Sequence, residues 1–303
     1  MGSARWSADD WTTYSSTSST KSTADLFRNS KMVDALNPAL VELRESRDSV
    51  LNPQSTAIIV GLDVTGSMGM IADALAKEGL GIMVEEILKR KPVSDPHMLI
   101  AGIGDAYCDS APLQITQFEA DITIAKQLEQ IWLEKGGGAN DFESYNLPWY
   151  FAAKHTSIDC MEKRGKKGYL FTVGDEQAPK GLTKAQLKKI FNDDVEKDYT
   201  TEELFLMASK MYNIFHIVVE EGSYARSNLS GVMKSWTELL GQRVIRLSDY
   251  KKLAEVVVST IEVTEGKDVD SVTKSWDGST SVVVSRAINS LATKRTSGGV
   301  VKF

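Results

Sequence analysis

The feature that most constrains this chain is a change of rhythm after Asn52-Pro53. From residue 56 onward, short apolar runs rich in β-branched residues alternate with amphipathic stretches of helical period. A chain written that way folds with helices packed on the faces of a mostly parallel sheet. The first run, residues 56–63, is apolar at both parities, as expected of a central strand covered on both sides. Further strands are expected at 98–103, 113–118, 169–173, 213–219 and 244–247. The nine residues 104–112 are too few for a helical crossover, so the third strand should pair antiparallel with the second at the sheet edge. Helices are expected at 70–89, 122–133, 143–163, 184–191, 201–211, 229–240 and 250–263, the first of them turning Ile71, Leu75, Ile82, Val84, Ile87 and Leu88 inward.

The flanks read differently. Ten of the twelve residues 12–23 are Ser or Thr, a composition with little to bury against the entropy of ordering, so this arm is expected to be flexible. A weak helical stretch, 24–50, carries Leu26, Phe27, Val33, Leu36, Leu40 and Leu43. Beyond Glu265 the chain is polar again, with a strand-like run at 281–285 and a short helix at 287–292. The expected organisation is therefore an arm and lead-in over 1–54, a sheet domain over 55–264 and a C-terminal extension over 265–303.

The 303 residues carry 35 Lys+Arg against 41 Asp+Glu, a net charge of −6, and that balance disfavours general nucleic-acid binding. No apolar run approaches the ~18 residues of a membrane span. An N-terminus without an apolar h-region points to the cytoplasm. Cys108 and Cys160 lack zinc spacing and read as reduced, buried thiols. His97, His155 and His216 also lack metal spacing, Trp132, Trp149 and Trp236 fall on expected helices as packing residues, and the basic cluster 163–167 reads as a solvated turn.

In an open α/β sheet, ligands bind beyond the carboxyl ends of the strands. Three loops reach that edge. The first carries Asp63, Thr65 and Ser67, alternating so that all three can point the same way. The second is Gly136-Gly137-Gly138 with Asn140 and Asp141, and the third is Gly174-Asp175-Glu176. All offer oxygen ligands and none offers a thiol or imidazole, a set suited to Mg²⁺ or Mn²⁺ at roughly 2.1 Å.

Asp63-x-Thr65-x-Ser67, a Gly-rich loop before a helix and a strand-end Asp together resemble the metal-ion-dependent adhesion site of von Willebrand factor A domains. The order of elements over 55–264 resembles that family as well. The resemblance implies an α/β fold with a doubly wound, mostly parallel, Rossmann-like six-stranded sheet and one antiparallel edge strand. It implies a cation held by Asp63, Thr65, Ser67, Asn140 and Asp175. Asn140 stands where the family usually has Thr, so Asp141 is an alternative ligand. Glu176 is the alternative to Asp175, and Asp105 is a candidate behind the ligands.

The function implied is binding without turnover, in which an acidic residue of a protein partner completes the shell of a Mg²⁺ ion and makes the contact cation-dependent. Relatives of intracellular type often work beside AAA+ ATPases or inside multi-protein assemblies, so such partners are expected. Two alternatives remain open. One is a structural component of a larger particle with a vestigial metal site. The other is a Mg²⁺-dependent phosphotransferase of haloacid-dehalogenase type with Asp63 as nucleophile.

Overall fold

The computed structural model of the chain describes residues 5–134 and 142–292. Its centre is a six-stranded sheet built from β1 (Thr56–Asp63), β2 (Pro96–Ile103), β3 (Leu113–Ile115), β4 (Gly168–Gly174), β5 (Tyr212–Val219) and β6 (Val244–Leu247). The strand order is β6-β5-β4-β1-β2-β3. All pairings are parallel except β2 with β3, where Ala101 faces Ile115 and Ile103 faces Leu113. The short connection from β2 thus produces the expected antiparallel edge strand.

Strand β1 shows why the sheet is buried on both faces. Its side chains alternate, with Ile58, Val60 and Leu62 packing into one apolar layer and Ala57 and Ile59 into the other. The first layer is roofed by helices Leu80–Arg90, Thr123–Leu128, Leu253–Thr264 and Gly278–Ile288, the second by Leu147–Lys154, Lys184–Phe191, Thr201–Ala208 and Ser223–Leu240. Local chemistry starts several of these helices. Thr183 with Gln186 and Thr200 with Glu203 form reciprocal capping boxes, each satisfying backbone N–H groups that the first turn leaves open. The chain winds outward from β1 in one direction to β3 and from β4 in the other to β6. A crevice therefore falls between the carboxyl ends of β1 and β4.

The structure corrects the expectations for the flanks. The Ser/Thr-rich segment forms a helix, Ala8–Ser18, whose N-cap Ser7 accepts the Asp10 N–H. Trp11 is 8% exposed and stacks on Trp6 with ring centroids 5.9 Å apart, while the Tyr14 hydroxyl donates to Glu129 at 2.8 Å. Burying one indole is worth roughly 4–6 kcal/mol by area, which offsets much of the ordering cost that the hydroxyl-rich residues cannot. The lead-in 24–50 is not a helix beyond Thr23–Leu26. Pro38 interrupts it, two 3₁₀ turns follow one another at Asp34–Leu36 and Pro38–Leu40, and Arg44–Ser46 pairs as a short parallel ladder with Thr156–Ile158.

That ladder also breaks the helix expected at 143–163 into Leu147–Lys154 and Asp159–Glu162. Near the other end, the run 281–285 is not a strand. It lies inside the helix Gly278–Ile288, which buries Val283, Val284, Ala287 and Ile288 at helical spacing. The segment 287–292 is the last turn of that helix followed by a 3₁₀ turn, Asn289–Leu291. The helix expected to run to 133 ends at Leu128, leaving Trp132 outside it. Leu88 is 43% exposed rather than inward. Cys108 is exposed, Cys160 is buried, and both are free. Among the described residues no helix is long and apolar enough to cross a membrane.

Candidate functional site

The crevice at the ends of β1 and β4 collects carboxylates. Asp63 closes β1 and is 1% exposed, Thr65 follows at 7%, and Asp175 sits one residue past β4 at 3%. Asp63 Oδ1 accepts the Thr65 N–H at 3.0 Å and the Thr65 hydroxyl at 2.7 Å, and Oδ2 accepts the Tyr145 hydroxyl at 2.8 Å. Asp175 Oδ2 accepts the Tyr224 N–H at 2.9 Å, at the start of the helix Ser223–Leu240. The backbone of Ser67 lies in the 3₁₀ turn Gly66–Met68. Asn140 and Asp141 lie outside the described residues.

Two residues join this group that the sequence did not single out as ligands. Glu143, 3% exposed, places Oε1 3.2 Å from the Thr65 hydroxyl, while its Oε2 is buried with no hydrogen-bond partner among the described residues. Tyr145 crosses from β1 to β4, donating to Asp63 and accepting the Glu176 N–H at 3.4 Å. A glycine makes the crossing possible, because a Cβ on Gly174 would stand 2.2 Å from the Tyr145 oxygen. Gly222 serves Asp175 in the same way, since a Cβ there would approach its carboxylate to 2.3 Å. Behind Tyr145, His216 stacks on Trp236 at 3.6 Å, and burial holds the imidazole well below its usual pKa, so it is neutral.

Asp105 is fully buried and organises its own loop. It accepts the Tyr107 N–H at 3.0 Å and the Cys108 thiol at 3.1 Å, and the Ser144 hydroxyl lies 3.4 Å from its Oδ1. Through Ser144, the neighbour of Glu143, this loop backs the carboxylate group without entering it.

The electrostatics follow from burial without positive charge. Among the described residues no lysine or arginine forms an ion pair with Asp63, Glu143 or Asp175. Burial pushes Asp63 up to about 7, against the hydrogen bonds from Thr65 and Tyr145, and the charge of Asp175 adds to the rise. Burial, then the charges of Asp63 and Glu176, push Glu143 up to about 10. Asp175 is raised by burial as well. One hydroxyl proton on Thr65 cannot serve both Asp63 and Glu143 at once, so with both acids ionised one of them lacks this donor. The donors are all oxygens, which suits a hard divalent cation. Among the described residues no three His, Cys, Asp or Glu side chains converge closely enough to form a metal cluster by themselves, so hydroxyl oxygens would have to supply part of the shell.

No family model matches the chain, and no curated protein matches it. Among solved structures it is similar to the pilus adhesin SpaC from Lactobacillus rhamnosus GG in its open conformation, with a TM-score of 0.38 and 9% identity over 76% of this chain and 31% of that one. It is also similar to the pilus adhesin RrgA from Streptococcus pneumoniae, with a TM-score of 0.30 and 8% identity over 66% and 43%. The chain thus spans less than half the length of either adhesin.

Proposed function

We propose that this protein is a divalent-cation-dependent protein-binding module of the von Willebrand factor A kind, in which Mg²⁺ or Mn²⁺ bound between the ends of β1 and β4 is completed by an acidic residue of a partner. The observation that carries this reading is the Glu143 Oε2 atom, a buried carboxylate oxygen beside the Thr65 hydroxyl and Asp63 with no hydrogen-bond partner among the described residues. Leaving a buried acceptor unmade costs about 1–3 kcal/mol, and more when it is charged. A cation removes that cost and the repulsion between Asp63 and Glu143 together.

Asp63, Thr65 and Asp175 would hold the ion, with Glu143 as a further acidic ligand and Tyr145 and the Tyr224 N–H fixing the carboxylates that surround it. The ion supplies a directional positive charge to the partner's carboxylate. Turnover is not part of this reading. A cytoplasmic AAA+ ATPase or an assembly subunit is the partner class to test first.

The test is calorimetric titration of Mg²⁺ into wild type and Asp63→Asn, followed by capture of partners from the native cell extract with Mg²⁺ or with EDTA. Saturable binding that the substitution abolishes, with a partner retained only by wild type in Mg²⁺, supports the proposal. Identical heats for both proteins, or a partner set indifferent to EDTA, overturns it.

A further inference from the structure

At the opposite end of the sheet, the loops that enter β1, β2 and β4 enclose a second site. Thr56 and Asp63 are the two ends of β1, so about 23 Å of strand separates this place from the carboxylate cluster. The cavity has a volume of about 100 Å³. Lys91, Lys166 and Lys167 line it, and none of the three has an ion-pair partner among the described residues. All three are exposed at its rim. Lys91 ends the helix Leu80–Arg90 in a left-handed conformation, φ 49°, and the Lys166 N–H is fixed at 2.8 Å on the Cys160 carbonyl.

The other charges nearby are largely spent. Arg164 also lines the cavity, but its guanidinium donates to Asp48 and to the Ser55 carbonyl, both at 2.6 Å. Glu265 is the acid in the lining, and it accepts the Tyr169 hydroxyl. Asp95 is turned to the Gln54 N–H at 2.9 Å and is not part of the wall. Three uncompensated lysines against Glu265 leave a local charge of +2.

Charge defines the ligand. Three lysines against one acid in the wall favour a small dianion. A phosphate group above its second pKa of about 6 carries close to the −2 that balances the wall. Ser94 and Thr56 also line it.

We propose that this cavity binds a phosphate dianion, either free inorganic phosphate or a phosphate monoester on an exposed side chain of a protein partner. It acts independently of the cation site, so the experiment is done in EDTA. Inorganic phosphate and a phosphoserine peptide are titrated at pH 8 into wild type, Lys166→Ala/Lys167→Ala, Lys91→Gln and Asp63→Asn, with chloride at matched ionic strength as reference. Circular dichroism confirms that each variant is folded.

The expected result is saturable binding to wild type and Asp63→Asn, weakened about tenfold or more in the double variant and severalfold in Lys91→Gln. Tighter binding of the phosphoserine peptide than of phosphate assigns the site to a phosphorylated partner, and equal binding assigns it to the free anion. A wild-type response no greater than that to chloride overturns the proposal. So does a double variant that binds phosphate within threefold of wild type.

Discussion

Two groups of acids in this molecule have the same chemistry and opposite electrostatics. Beside the entry to β1, Asp48 and Asp159 are ringed by Arg47, Lys163 and Arg164, with Asp159 Oδ1 2.9 Å from Arg47, Asp159 Oδ2 2.6 Å from Lys163 and Asp48 2.6 Å from Arg164. Burial works to raise Asp48, but hydrogen bonds from Arg164 and Ser55 outweigh it and hold the carboxyl at about 2. Asp159 is likewise lowered, burial being outweighed by Lys163, the Asp48 N–H and Arg47. At the other end of the same strand Asp63, Glu143 and Asp175 are all raised. The difference is one of supply. The first group carries its positive charges within the chain, whereas among the described residues the second has no paired lysine or arginine.

The largest expected effect separates the groups by cation. At a Mg²⁺ concentration of 100 times Kd, wild type should gain about 2.7 kcal/mol of stability, read from chemical denaturation, and Asp63→Asn should gain none. A variant that keeps the gain erases the contrast. Next in size, Arg47→Ala should cost about 2 kcal/mol with or without Mg²⁺, since Asp159 loses its guanidinium yet keeps Lys163 and the Asp48 N–H. A urea midpoint that moves for this variant only in Mg²⁺ would show that the two groups are not independent.

The paired group was hardly visible in the sequence, where residues 163–167 read as a solvated turn. One of its acids, Asp159, is local, but the other, Asp48, is brought across from distant sequence by the Arg44–Ser46 ladder. Of the carboxylate group, Asp63, Thr65 and Asp175 were legible because strand ends are set by short-range apolar patterning. Their convergence needed only the order of parallel strands. Glu143 and Tyr145 precede the helix Leu147–Lys154, and the glycine at 174 leaves the room that Tyr145 occupies.

Where local chemistry decides, residues and elements agree. Lys184–Phe191 carries its own capping box and spans the expected residues. The helices Ala8–Ser18 and Gly278–Ile288 were missed because composition and β-branching were read without the docking surface. Trp11 in the first, and the Val283-Val284 and Ala287-Ile288 pairs in the second, form helices by burying one face.

The smallest expected effect is the sharpest test of the contrast, because it rests on the signs of three pKa shifts. Asp48 is depressed, so its contribution is complete above about 3.8 and is lost as pH falls toward about 2. Asp63 and Glu143 are raised, so without a cation the folded state holds their protons more tightly than the unfolded chain. Stability is then lost as pH rises, from about 3.8 to about 7 for Asp63 and onward from about 4.5 toward about 10 for Glu143. If the crevice binds Mg²⁺ as proposed, the ion replaces those protons, and it should raise the melting temperature more at pH 8 than at pH 5. Glu143→Gln should flatten the alkaline limb in EDTA and weaken Mg²⁺ about tenfold, or about 1.4 kcal/mol, while leaving the acid limb set by Asp48 unchanged. An alkaline limb that survives both this substitution and Asp63→Asn would place the excess protons elsewhere and remove the electrostatic reason for a cation in the crevice.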